Sequence, residues 1–354
     1  IGGVTPEGKD AVNDMSYIIL KNAEMLCTDD PDMDVRYMPG INSRTFLKRA
    51  CEVNYLTSGT PAIHNDKAVI NGWVANHPGW DIKDIRNWVS CGCTEPVMHG
   101  KHFAQSGDLD TNLAVPLEMA LNNGNHPLWK RTIAESLGPL HIKYDEEDDN
   151  LGFIDFDDFY NFFNKQFEFI FRCVIEDGSK KIMKAQREVM PAPLYSALVD
   201  GCIRDAKGML YGGAKYNTSG AALIGLSDVV DSLLVIKQLV FDESKITLKL
   251  LKEAIDNNFG AQTSDKNGNN ETYRKIHAMI KHQVSKFGSG NEAGRQMADR
   301  VTRMVGDFFH MQKTDRGKTD KEKGKYIAGY KSASNHMVYG MVSGALQLVV
   351  RQSI

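Results

Sequence analysis

The sequence predicts a large α/β domain in which short strands are separated by long helical excursions. Three observations carry that expectation. Stretches with apolar residues at helical spacing outnumber strand-like stretches, and the strand-like pieces are short and scattered between them. The composition, 42% apolar and 25% charged in 354 residues, is that of an ordinary globular protein.

Taken in order, Gly3 to Leu26 opens with turn residues and then becomes helical, with Val12, Met15, Ile19, Ala23 and Leu26 on one face. Arg36 to Phe46 is loop-like, and Phe46 to Val53 reads as a short helix. Gly59-Thr60-Pro61 is a turn, after which Ala62-Ile63 begins an apolar piece ending at His64-Asn65-Asp66. Ile82 to Val89 leads into a Ser-Cys-Gly-Cys-Thr-Glu-Pro segment. Asn112 to Leu121 reads as a helix closed by Asn122-Asn123-Gly124. The acidic run Asp145 to Asp149 is a solvated loop. Phe153 to Glu188 is a long helical stretch with aromatics on its inner face. Ser227 is placed to cap a helix carrying Val229, Leu233, Ile236 and Val240. Thr247 to Asn258 and Glu292 to Met311 are further helices, and Lys313 to Lys325 reads as an exposed lysine-rich loop.

The formal net charge of -3 offers no basic field for nucleic acid. No apolar run reaches the roughly 18 residues a membrane span needs. The expectation is a cytoplasmic protein. The first residue is Ile1, with no signal peptide visible, which predicts a chain beginning inside a longer protein or after a removed segment. Six cysteines in a chain this long read as reduced, mostly buried thiols rather than a disulfide framework. The Cys91-Gly92-Cys93 pair lacks a second ligand pair at zinc-site spacing, so no metal is expected.

The densest chemistry lies in Ser90 to Lys101. In an extended segment, side chains two apart point the same way, so Cys93 and Glu95 are placed to face one pocket with Thr94 turned away. Gly92 permits a tight approach and Pro96 stiffens the exit. A carboxylate beside a thiol opposes thiolate formation, which disfavours a nucleophile. It suits a thiol that stays protonated and gives up a hydrogen atom, with the carboxylate as general base or acid. An inert cysteine in an ordinary loop is the plain alternative. A cysteine-dependent hydrolase would need a histidine base, and His99 is the one close in sequence.

Gly92-Cys93-Thr94-Glu95-Pro96 resembles the Gly-Cys-Val-Glu-Pro motif of glycyl radical enzymes of the diol dehydratase and choline trimethylamine-lyase type. The resemblance runs along nearly the whole chain. Gly8 to Asn13 is similar to a stretch ahead of an early barrel helix, and Pro31 to Arg36 to a Gln-Pro-x-x-x-x-Arg segment. Gly59 to Asp66 matches Gly-x-Pro-x-x-x-Asn-Asp, and Leu117 to Gly124 matches Leu-Glu-x-x-Leu-x-x-Gly. Tyr216-Asn217, Asp231-Ser232-Leu233, Lys237, Val240-Phe241 and Lys286-Phe287-Gly288 with Asn291 match later segments.

The resemblance implies that residues 1–354 are part of a ten-stranded α/β barrel of the pyruvate formate-lyase type, surrounded by many helices. It implies a lyase of dehydratase type, with Cys93 as hydrogen-atom relay and Glu95 as proton-transfer group. Asp108 is the candidate substrate contact, against the alternative that Asp108 and Asp110 cap the Asn112 helix. His102, with His99 and Lys101, is a candidate for an anionic substrate group or for a solvent-facing position. The resemblance further implies a small-molecule substrate, no bound cofactor, and a separate activating enzyme with an iron–sulfur cluster and S-adenosylmethionine. Homodimers are common in the family, but no sequence feature establishes one. A decarboxylase and a formate C-acetyltransferase-like C–C lyase stay open as other reactions.

The family's Arg-Val-x-Gly-[Tyr/Phe] glycine motif has no match. Arg300-Val301-Thr302-Arg303 resembles only its first part, and Ser343-Gly344-Ala345-Leu346 departs from the family at Gln347. The expectation is an internal fragment lacking the glycyl radical domain, inactive by itself, with a truncation or frame shift near Leu346.

Overall fold

Local capping chemistry starts most of the helices. The computed structural model describes residues 1–27, 33–57, 59–91, 95–125, 145, 147–261, 268–316 and 326–330. Helix α1 (Asp14–Leu26) begins with a reciprocal box in which the Ser16 amide donates to the Asn13 side chain and Ser16 Oγ accepts from the Asn13 amide. Strand β1 (Asp34–Tyr37) leads to α2 (Arg44–Leu56), capped by Ser43. Strand β2 (Ala62–Asn65) passes directly into α3 (Asp66–Asn76), where Asn65 is the cap. Then come α4 (Ile82–Arg86), β3 (Trp88–Cys91), β4 (Glu95–Met98), β5 (His102–Phe103) and β6 (Leu109–Asn112). Helices α5 (Ala114–Leu121), α6 (Phe156–Cys173), α7 (Lys180–Val189) and α8 (Pro193–Leu198) follow. Strands β7 (Tyr216–Asn217) and β8 (Ser219–Ile224) precede α9 (Leu226–Val235), α10 (Leu248–Asp256), α11 (Asn270–Gln283), α12 (Glu292–Met311) and β9 (Tyr326–Tyr330).

The chain divides into two compact units. The first holds residues 1–108, 182–220 and 310–329, and the second holds 109–181, 221–309 and 330–354. In the first, β1 pairs parallel with β2, β3 antiparallel with β4, and β5 parallel with β7. Two apolar clusters support them. Val4, Ile70, Trp73, Ile85, Trp88, Met98 and Tyr216 form one; Leu20, Val35, Phe46, Ala50 and Val53 form the other. In the second unit, β6 runs parallel to β8 from Leu109↔Ala221 to Asn112↔Ile224. Helix α5 packs on α6 there. The aromatic face of α6 meets α12, with Phe167 edge-on to Phe308 at 5.3 Å.

The helix-rich α/β class holds. Among the described residues the strands form four separate small sheets, none of which closes on itself, so the ten-stranded barrel is not seen in them. No described helix is long and apolar enough to cross a membrane.

Several local expectations are corrected. The helix expected from Asn112 starts at Ala114, because Asn112 closes the strand Leu109 to Asn112, whose parallel partner lies more than a hundred residues away. Asp108 does not cap α5, whose N-cap position is Leu113; the Ala114 amide donates to the Asn112 side chain. Ser227 does not cap α9, whose N-cap is Gly225 at φ 88, a left-handed conformation that glycine adopts without strain. Met15 and Leu26 of α1 are exposed, and Ser16 and Leu20 are its buried residues. Cys27, Cys51 and Cys91 are exposed and Cys202 is buried, so the described thiols are not mostly buried. Of the lysine-rich tract, Thr314 and Arg316 are buried; residues 317–325 lie outside the described residues.

Candidate active site

Strands β3 and β4 frame the motif. Their register runs Trp88↔Met98, Val89↔Val97, Ser90↔Pro96 and Cys91↔Glu95, so residues 92–94 link the two strands. Cys93 itself lies outside the described residues. Glu95 is half-buried at the first position of β4, directly across from exposed Cys91.

The base of this hairpin is anchored by a buried ion pair. Asp66 is fully buried at the start of α3. Arg36 of β1 meets it through Nε at 3.0 Å and through Nη2 at 2.9 and 3.0 Å. The same guanidinium donates to the carbonyls of Trp88 and Arg86, and lies 4.6 Å over the Trp88 ring. Trp88 Nε1 donates to Asp66 Oδ1 at 2.6 Å, and the Val4 amide donates to Oδ2. Every charge is therefore matched, as burial demands. The result fixes the first residue of β3.

A second network holds the strand after the hairpin. Asp84 of α4 accepts from Lys101 at 2.5 Å, Lys215 at 2.6 Å and Tyr216 Oη at 2.8 Å. Burial alone would raise its pKa; hydrogen bonds from these three groups outweigh that and bring it to about 2. Lys101 is thus committed to Asp84, while His99 is exposed. His102 Nε2 lies 2.8 Å from Thr218 Oγ1, and its ring is edge-on to Trp73 and Trp80. Its Nδ1 is closed off from solvent without a partner. Burial, then the charges of His77 and Arg316, lower its pKa to about 3, so the imidazole is neutral near pH 7.

Asp108 sits in the turn before β6. Its amide donates to the Gln105 carbonyl, and its Oδ1 accepts from Gln105 Nε2 at 2.8 Å. The Gln105 carbonyl also accepts from the Gly220 amide at 3.1 Å. A Cβ on Gly220 would lie 2.2 Å from the Ser106 carbonyl oxygen. Gly220→Ala should therefore cost about 1–3 kcal/mol and disturb this turn. A urea midpoint equal to wild type would show that the backbone yields freely. Among the described residues no group of three His, Cys, Asp or Glu side chains is placed to hold a metal.

Glu95, His102 and Asp108 thus all lie in the first unit, on one continuous run of chain. Reasoning from sequence missed Gln105, Thr218, Asp84 and Arg316. Several of their partners are distant in sequence, and the parallel β5–β7 pairing, His102↔Tyr216 and Phe103↔Asn217, brings Thr218 beside His102.

The sequence pattern of the Pyruvate formate lyase-like family matches residues 1–340, and the chain belongs to that family of glycyl radical enzymes. It is 30% identical over 348 residues to trans-4-hydroxy-L-proline dehydratase of Clostridioides difficile, a match covering 97% of this chain and 40% of the relative. It is 28% identical to isethionate sulfite-lyase of Desulfovibrio desulfuricans, covering 88% of the chain and 35% of the relative. The glycerol-bound B12-independent glycerol dehydratase of Clostridium butyricum superposes with a TM-score of 0.76 at 29% identity, covering 96% of this chain and 39% of that one. The chain thus spans about 40% of the length of the first of these relatives.

Proposed function

We propose that this chain carries the thiol loop of a radical dehydratase, with Cys93 relaying a hydrogen atom and Glu95 moving a proton. The carrying observation is the antiparallel register that sets Cys91 opposite Glu95 in a member of this family, with Cys93 on the three-residue link between strands. Dehydratases of hydroxylated small molecules among its relatives support the substrate class. Residues 1–354 are read as part of a ten-stranded barrel domain in a cytoplasmic enzyme, with the radical-bearing glycine carried outside them. A separate S-adenosylmethionine-dependent activating enzyme is the implied partner.

When present, the family's glycyl radical supplies the unpaired electron. The chain's own residues do the rest. The Cys93 sulfur, lacking its hydrogen, takes one from the carbon next to the one that will lose its hydroxyl, a carbon that itself bears a hydroxyl or an amine, so an S–H bond forms and a C–H bond breaks. Glu95 accepts the proton of that hydroxyl or amine. The neighbouring C–O bond breaks with its electron pair, and the proton passes to the departing hydroxyl to give water. The thiol then returns its hydrogen atom to carbon. Asp108 accepts a hydrogen bond from a substrate hydroxyl, and His102, neutral, is the second substrate contact of this reading.

The test uses the full-length protein, activated anaerobically and offered glycerol, 1,2-propanediol and trans-4-hydroxy-L-proline. Wild type should show a glycyl radical doublet by electron paramagnetic resonance and release water from at least one of them. Cys93→Ala should keep the doublet and lose turnover, while Glu95→Gln should lower kcat by roughly 10²–10⁴-fold. Full turnover in Cys93→Ala would sink the proposal.

A further inference from the structure

We propose that Arg316 is a positioning residue that acts through Gln105 to fix the Asp108 carboxylate. This rests on the reading of Asp108 as a substrate contact. Arg316 is 1% exposed, yet it sits in a tract whose composition reads as surface loop. Its Nη1 donates to Gln105 Oε1, and its Nη2 donates to the Thr218 carbonyl and the Ser219 hydroxyl. Its guanidinium carbon lies 4.9 Å over the Phe103 ring. All three hydrogen-bond acceptors are neutral, so the buried charge finds its compensation at longer range, with Asp108 the first of the acidic groups it feels.

The chemistry of the three groups gives the chain of bonds a direction. A guanidinium has only donors, so Gln105 must present its oxygen to Arg316. The amide nitrogen of Gln105 is then turned to the other side, where it donates to Asp108 Oδ1 at 2.8 Å and also reaches Gln186 Oε1 at 3.4 Å. Without the guanidinium, either end of the amide could face Asp108, and an oxygen there would repel the carboxylate. Arg316 thus selects the one amide orientation that holds Asp108 as an acceptor.

The backbone points the same way. Gln105 has φ 42, in the left-handed region that a non-glycine residue occupies only at a cost in strain. Such a conformation persists only where the surroundings over-determine it. Here the Asp108 and Gly220 amides hold the Gln105 carbonyl, and Arg316 and Asp108 hold its side chain. The relay therefore stands on backbone and side-chain geometry together.

Side-chain nuclear magnetic resonance of the full chain, labelled in glutamine amides and aspartate carboxyls, tests this directly. Arg316→Met should speed hydrogen exchange of the Gln105 side-chain amide by about tenfold and displace the Asp108 carboxyl resonance. Arg316→Lys, which keeps a donor, should restore both toward wild type, a rescue that general loosening would not produce. Wild-type exchange and an unmoved Asp108 resonance in a folded Arg316→Met chain overturn the relay. Should Arg316→Met fail to fold, Gln105→Leu decides: a displaced Asp108 resonance supports the relay, and an unmoved one overturns it. The substrate reading fails separately. An Asp108→Asn full-length enzyme with an unchanged KM for whichever of the three probes it dehydrates removes that reading and leaves the relay to the resonances.

Discussion

Asp66→Ala is expected to cost about 3–5 kcal/mol of folding stability, because it strands a buried arginine rather than merely deleting a contact. Asp66 is the shared acceptor of Arg36, the Trp88 indole and the Val4 amide. Once it is gone, the guanidinium keeps its two carbonyl acceptors and the Trp88 face but loses its countercharge. Chemical denaturation of the first unit, followed by a probe within it, should show a much lower midpoint. Replacing both partners, as in Arg36→Met with Asp66→Leu, should cost less than Asp66→Ala alone, since no charge is then left unpaired. A loss below about 1 kcal/mol for the single variant would mean that water reaches Arg36 and that the pair does not anchor the hairpin.

Glu118→Gln is expected to stabilise the second unit, and only at higher pH. Glu118 lies on α5, is 6% exposed, and its Oε2 has no partner. Burial, with a smaller push from Asp256, raises its pKa from 4.5 to about 8. A carboxyl raised in the folded state favours folding in its neutral form. Its penalty is absent below the unfolded value of 4.5 and grows as pH rises toward 8. The ceiling on that penalty is on the order of 5 kcal/mol, from about 1.4 kcal/mol for each pH unit. A glutamine has the same shape and no proton to lose. Melting curves of wild type and Glu118→Gln should coincide near pH 4 and separate progressively up to pH 8. Parallel curves across that range would show that Glu118 ionises without penalty.

The elements readable from sequence were those whose information is local. Helix α12 occupies Glu292 to Met311, as the sequence predicts, because its apolar positions keep helical spacing for its full length. Thr247, a helix start by sequence, accepts from the Leu250 amide. Strand β6 is not legible in the sequence, because Asp110 to Asn112 is polar and the strand character comes from pairing with β8. The burial of Arg316 is hidden for the same reason: lysines around it describe a surface, while its partners lie at Gln105, Thr218 and Ser219. At the site, Cys93 and Glu95 were legible as a short motif, and Arg36 and Asp66 as parts of motifs without a stated role. What those two do depends on a meeting of β1, α3 and β3 that no local pattern encodes.

The ring cluster around His102 also gives the protein an optical signature. Trp73 and Trp80 are stacked with centroids 5.3 Å apart and 19° between planes, and His77 lies 4.0 Å from Trp80. Two indoles this close couple their transitions, and a neighbouring imidazole quenches emission. Trp73, Trp80 and Trp88 all belong to the first unit, and the fourth tryptophan of the chain, Trp129, lies outside the described residues. In a Trp129→Phe chain, indole emission and near-ultraviolet dichroism therefore follow the unit that bears Glu95 and Asp108, and report its melting.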